Sequence, residues 1–159
     1  VWLQVVGLIG WVVLCLGVGA IGGIASASAA DFYAQLARPA WSPPVWLFGP
    51  VWTFLYLSMA VSAWLVWRTG SKLVTFALAL FVIQLSINAL WSWLFFAWRL
   101  GAWSFADIVL LWLAIAFTIA CFWRISRFAA VLLIPYLLWV TFASALNWTL
   151  WQLNPSVLQ

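Results

Sequence analysis

Residues 45–72 read VWLFGPVWTFLYLSMAVSAWLVWRTGSK, a mostly apolar run from Val45 to Trp67 closed by Arg68-Thr69-Gly70-Ser71-Lys72. A helix crossing the hydrocarbon core of a bilayer needs roughly 20 such residues, and the charges that follow mark its exit into water. The pattern recurs on both sides, at Val1 to Ala25, Leu73 to Trp98, Ala102 to Trp123 and Phe128 to Leu153. Between the later runs lie only Arg99-Leu100-Gly101 and Arg124-Ile125-Ser126-Arg127, so successive helices are expected to run antiparallel and pack as neighbours. The fold expected is an all-α membrane protein, a single domain over residues 1–159 built as a bundle of five transmembrane helices. Its first partner is the lipid bilayer.

Composition supports this reading. Of the 159 residues, 69% are hydrophobic and 5% charged, against roughly 25% charged in soluble domains. A water-facing surface cannot be built from such a chain. Histidine is absent, and Cys15 and Cys121 stand alone inside apolar runs, so no zinc cluster or Cys/His nucleophile can be assembled and no metal site is expected. The net charge of +4 comes from scattered basic groups rather than a clustered patch, which speaks against nucleic acid as a partner.

The basic groups read better as topology signals. Arg68, Lys72, Arg124 and Arg127 share a side with the amino terminus, against Arg38 and Arg99 opposite. Positive-inside bias then puts the amino terminus in the cytoplasm of a bacterial cell membrane. The sixteen Trp residues suit interfacial belts and flat apolar pockets, because one amphipathic ring serves both.

The loop 31–44 is the only long connection. Asp31 is expected to cap a short helix through Phe32 and Leu36, which Arg38-Pro39 stops, and Ser42-Pro43-Pro44 must be extended. The loop therefore reads as a structured lid. Upstream, Ala25-Ser26-Ala27-Ser28-Ala29-Ala30 resembles the cleavage site of a signal peptide, but no basic region precedes the first run, which is longer than a usual signal core. That run is read as the first span. Gly19, Gly22 and Gly23 on it permit close approach of another helix, either within the chain or in a homodimer.

Inward faces follow from helical spacing. The second span offers Phe48, Trp52, Leu55 or Tyr56, and Met59; the third offers Gln84, Asn88, Trp91 and Phe95; the fifth offers Trp139, Ala143, Leu146 and Leu150 beside a kink expected at Pro135. Amides in hydrocarbon turn inward for partners, so Asn88 serves either interhelical hydrogen bonding or the anchoring of a ligand. Asp107, in the first turns of the fourth span, suits a stabilising role at the positive end of the helix dipole better than a proton relay.

The stretch Trp41-Ser42-Pro43-Pro44-Val45-Trp46-Leu47-Phe48-Gly49-Pro50-Val51-Trp52 resembles the signature of the translocator protein family, TspO/MBR or tryptophan-rich sensory proteins. Asn88-Ala89-Leu90-Trp91-Ser92-Trp93-Leu94-Phe95-Phe96 resembles its third-helix motif. Pro135-Tyr136-Leu137-Leu138-Trp139 with Ala145-Leu146-Asn147-Trp148 resembles its fifth-helix motif. The resemblance implies a pocket lined by spans one, two, four and five under the first loop, which takes porphyrins such as protoporphyrin IX and benzodiazepine-type ligands. Carried over by motif, its ligand-contacting positions are Tyr33, Phe48, Trp52, Asn88, Trp91, Trp103, Asp107, Trp139, Ala143 and Leu146. The family's cholesterol-recognition segment lacks its Tyr and basic residue here, where the chain reads Leu146-Asn147-Trp148-Thr149-Leu150-Trp151-Gln152-Leu153-Asn154.

The function expected is that of a membrane receptor or sensor for porphyrins, with no obligatory cofactor and the porphyrin as ligand. A light- and oxygen-dependent breakdown of protoporphyrin through Trp52 and Trp139 is the enzymatic alternative, and facilitated porphyrin transport the third. No acid/base pair or activated nucleophile exists for other chemistry.

Overall fold

Hydrocarbon offers the backbone no water to bond, so each apolar run satisfies its own amides and carbonyls by winding into a helix. In the computed structural model, which describes all residues Val1–Gln159, these helices are α1 (Trp2–Ala25), α3 (Val45–Trp67), α4 (Val74–Ser92), α5 (Gly101–Trp123) and the pair α6 (Arg127–Leu132) and α7 (Ile134–Leu153). A π-helical turn, Trp93–Ala97, extends α4, and the short α2 (Ala29–Gln35) lies in the first loop. Five stretches are long and apolar enough to cross a membrane, the fifth being α6 and α7 together. The chain is a multi-pass integral membrane protein. Exposed Trp residues sit near helix ends, Trp2, Trp67 and Trp123 at one side and Trp46, Trp98, Trp103 and Trp148 at the other, as interfacial belts require.

Three expectations need correction. The loop helix begins at Ala29 behind Ser28, so Asp31 is not its cap but lies in its first turn, where a carboxylate still meets the positive end of the dipole. Successive spans are not all neighbours: α1 packs on both α3 and α4, while α3 touches α4 only slightly and leans on α6 instead. Around the bundle the spans therefore follow the order one, two, five, four, three. Small residues explain the insertion of α1, since a Cβ on Gly19 would come within 2.8 Å of the Tyr56 ring and one on Gly22 within 3.0 Å of Ser92 Oγ. The close-approach surface is thus used within the chain.

The third correction concerns Pro135. It does not kink a continuous helix but starts a new one, with the fifth span broken at Leu133. The Leu133 amide bonds back to the Ala130 carbonyl instead of to Ala129, leaving the Ala129 carbonyl free. Two serines of α3, one helical turn apart, repair the break: Ser62 Oγ donates to the Ala129 carbonyl and Ser58 Oγ to the Leu132 carbonyl, each at 2.7 Å. Their hydroxyls also explain how α3 grips the fifth span. Ser62→Ala should strand a buried carbonyl and cost about 1–3 kcal/mol, seen as earlier thermal unfolding in detergent, whereas Ser86→Ala, whose hydroxyl bonds only its own helix, should change little.

Candidate ligand-binding site

Four side chains from three spans form a hydrogen-bonded relay through the middle of the bundle. Tyr56 Oη donates to Asn88 Oδ1 at 2.6 Å, Asn88 Nδ2 donates to Tyr136 Oη at 2.7 Å, and Tyr136 Oη donates to Gln84 Oε1 at 2.8 Å. Gln84 Nε2 ends the relay at Met59 Sδ, 3.8 Å away. Every member is buried. Asn88 thus does the interhelical bonding foreseen as one of its two roles. Its amide carries two donors, however, and the second remains for another partner.

That partner would lie in a cavity of about 420 Å³ that Asn88 and Tyr56 help to line. One wall is the small-residue face of α1, with Gly19, Gly23 and Ser26; another is α3, with Phe48, Trp52 and Thr53; the third is α4 and its π turn, with Trp91, Ser92 and Phe96. Tyr33 of α2 covers it. The glycine stripe therefore has a double use. Gly19 and Gly22 take up neighbouring side chains, whereas a Cβ on Gly23 would meet nothing within 4 Å.

Of the expected site residues, Tyr33, Phe48, Trp52, Asn88 and Trp91 line this cavity. Trp103, Asp107, Trp139, Ala143 and Leu146 do not, and the cavity borders spans one, two and three rather than one, two, four and five. Trp103 is 68% exposed on the outer surface, as a belt residue. The side toward span five is closed by rings in edge contact, Tyr33 on Phe48 at 5.8 Å and Phe48 on Trp139 at 5.9 Å. Ala143 and Asp107 are buried on α7 and α5, and Leu146 is buried in the cluster that joins the end of α7 to Phe32, Tyr33 and Leu36 of the lid and Phe95 of the π turn. Trp91 reaches across to the same region, its Nε1 donating to Asn147 Oδ1 at 2.9 Å.

Several polar atoms on this side are buried without a hydrogen-bond partner: Tyr33 Oη, Asp107 Oδ2, Trp139 Nε1 and Asn147 Nδ2. Burial pushes the Tyr33 phenol above its ordinary 10.0. The nearby Ser42 hydroxyl and Arg38 guanidinium offset part of the shift, without a well-formed hydrogen bond to Oη. The phenol is therefore a neutral donor at physiological pH. Arg38 lies over the Tyr33 ring, 4.8 Å from its centroid, and brings a positive charge to the rim of the cavity.

The lid is held by contacts that sequence reading missed. Asn154, just past α7, accepts from the Ala37 amide at 2.8 Å and donates to the Ala37 carbonyl at 2.9 Å, so one side chain pins both backbone groups of a residue 117 positions away. Phe32 lies edge-on to Phe95 and Phe96 of the π turn, and Arg99 covers the Phe32 ring at 4.7 Å. Arg99 has a φ of 55°, a left-handed turn that brings the chain back after the π segment. The lone Asn after the last apolar run was the one available signal. Asn154→Ala should speed hydrogen exchange of amides 32–40 about tenfold, the loss of one to two bonds worth about 1 kcal/mol each, with exchange in α3 and α5 unchanged.

The chain matches the model of the TspO/MBR family over residues 11–152. It is similar to the "Tryptophan-rich protein TspO" of Chlorobaculum tepidum, 46% identical over 145 residues that cover 89% of this chain and 92% of the relative. "Protein CrtK" of Rhodobacter capsulatus is 38% identical over 145 residues, 90% of this chain and 89% of its own. The human "Translocator protein" is 37% identical over 126 residues, 77% of this chain and 75% of its own.

Proposed function

The chain belongs to the TspO/MBR family, and from that premise we propose that it is a membrane receptor or sensor that binds porphyrins, and benzodiazepine-type ligands, between its helices. One observation carries the reading: a covered cavity of about 420 Å³ with an aromatic wall at Trp52 and an amide donor at Asn88. Pockets for drug-sized ligands run from roughly 300 to 1,000 Å³, mostly apolar with a few placed polar groups. A porphyrin is a flat, mostly apolar disc with carboxylates at one edge. Trp52 would stack on one face, Asn88 would bond the ring nitrogens or an edge group, and Arg38 would meet a carboxylate at the rim.

The second face of the disc would be reached by parting the edge contact between Phe48 and Trp139. That motion would join the cavity to the unpartnered Trp139 Nε1 and bring it nearer to the buried Ala143 and Asp107. The degradation alternative requires the ligand to touch both Trp52 and Trp139, so it depends on this opening as well. Conversion in light that stops in Trp52→Phe while dark affinity persists would favour that alternative over simple reception.

Titration with protoporphyrin IX in the dark, followed by Trp quenching in detergent, should give saturable micromolar binding. Trp52→Ala should weaken it about tenfold, the roughly 1.4 kcal/mol expected of a lost stacking contact. Gly23→Leu, whose Cβ would meet nothing within 4 Å and whose side chain would enter the cavity, should weaken it at least as much, and Trp103→Ala should leave it unchanged. Unsaturable quenching of equal size in all four proteins would mean partition into the micelle and would sink the proposal.

The distribution of cations favours a cytoplasmic amino terminus under this reading. Reporter fusions after Gly70 should then be active only as cytoplasmic reporters, and those after Gln159 only as external ones.

A further inference from the structure

At the end of the bundle opposite the cavity, a groove of about 270 Å³ runs between the start of α4 and the end of α5. Small residues, Ala77 and Ala120, leave the space, and Phe76 and Phe117, each 55% exposed, stand beside it. Its one polar lining residue is Arg124, at the loop end. From Phe117 to Arg124 the helix rises about 10 Å, most of the roughly 15 Å depth of one leaflet's hydrocarbon. The groove therefore has the direction and depth of a lipid tail with a cation where the headgroup begins.

The charges at this end are unbalanced. Arg68, Lys72, Arg124 and Arg127 gather here, while the only acidic residues of the chain, Asp31 and Asp107, belong to the opposite end. Arg68 lies over the Trp64 ring at 4.7 Å and Arg127 over Trp123 at 6.0 Å. Lys72 and Arg124 have neither a ring nor an acid, and Lys72 directly precedes Leu73, which lines the groove.

We propose that this groove holds one acyl chain of an anionic phospholipid, whose phosphate is gripped by Arg124 and Lys72. Charge complementarity selects the occupant. A second copy of this chain in the same bilayer orientation would bring its own basic end against Arg124 and Lys72, whereas an anionic headgroup neutralises them. The same argument favours an anionic over a zwitterionic lipid.

Cys121 supplies the readout. It is half-buried in the groove, while Cys15, the other thiol, is fully buried. Alkylation of Cys121 by N-ethylmaleimide should be followed in vesicles of phosphatidylcholine with and without phosphatidylglycerol. The reference is a thiol on the same helix pair outside the groove, Ala79→Cys in a Cys121→Ser background. Phosphatidylglycerol should slow Cys121 by about tenfold to thirtyfold relative to the reference, the preference that one to two interfacial cations give. Lys72→Gln with Arg124→Gln, both exposed positions, should abolish the slowing. Equal rates in the two lipids, or slowing that survives the double substitution, would overturn the proposal. So would protection that follows the protein-to-lipid ratio instead of the phosphatidylglycerol content, since a second copy would then be the cover.

Discussion

An amide inside hydrocarbon has no water to fall back on, and this constraint organises the molecule around Asn88. Leaving both of its polar atoms bare would cost several kcal/mol, so the spans that can answer them must come together. Tyr56 answers the oxygen and Tyr136 the nitrogen, and Gln84 takes the proton that Tyr136 still offers. Spans two, three and five are thereby fixed in one register. The position of α1 follows from theirs, because the Tyr56 ring so held presses against α1 at a point where only Gly19 leaves room. The wall of the cavity opposite Trp52 is thus a consequence of the relay, carried through a glycine.

The irregular backbone has a similar logic. A helix broken in a bilayer exposes carbonyls that must be taken up by neighbouring protein. The break before Pro135 is taken up by Ser58 and Ser62, which makes it a joint between spans rather than a defect. The π turn at Trp93–Ala97 accommodates an extra residue, with the Trp98 amide bonding back to Trp93 at 2.8 Å, and it puts Phe95 into the core while Phe96 faces the cavity. The π turn borders the site and shapes the wall beneath the lid, whereas the break acts on it indirectly, since Tyr136 just past Pro135 is the relay partner of Asn88.

The spans were legible because transmembrane length and apolarity are properties of a continuous run, and every run here but the first is followed by a charge or by Asn154-Pro155. The inward faces at Phe48–Met59 and Gln84–Phe95 were legible for a related reason, since polar groups and large rings repeat at helical spacing. What escaped were matters of partner choice. Nothing local in Ser58 or Ser62 says that each will bond the backbone of a distant segment, Asn154 signals at most a polar contact without its partner, and nothing in the short loop 68–73 says that α1 will stand between spans two and three. The family-derived positions divide in the same way. Those on spans two and three and on the lid meet at the cavity, while those on spans four and five lie outside it, Trp103 on the lipid-facing surface and Trp139 in the contact with Phe48 that closes its side toward span five.

That contact is where packing and polarity disagree. Edge-to-face rings at 5.8–5.9 Å satisfy Phe48, yet the closure leaves Tyr33 Oη and Trp139 Nε1 without partners, and Asp107 Oδ2 and Asn147 Nδ2 are likewise bare. Each such atom costs about 1–3 kcal/mol when buried, against about 0.5–1.5 kcal/mol gained by an aromatic pair. The closed arrangement is therefore poorly satisfied on its polar side and well satisfied on its apolar one. A flat apolar ligand with polar atoms at its edge reverses this imbalance, since it can replace ring-on-ring contact with ring-on-ligand contact and supply partners to the donors. A purely apolar ligand of the same shape does only the first. On the proposed function, the site should accordingly discriminate between ligands by their edges rather than by their faces, with the donors of Asn88, Tyr33 and Trp139 as the groups that would make the distinction.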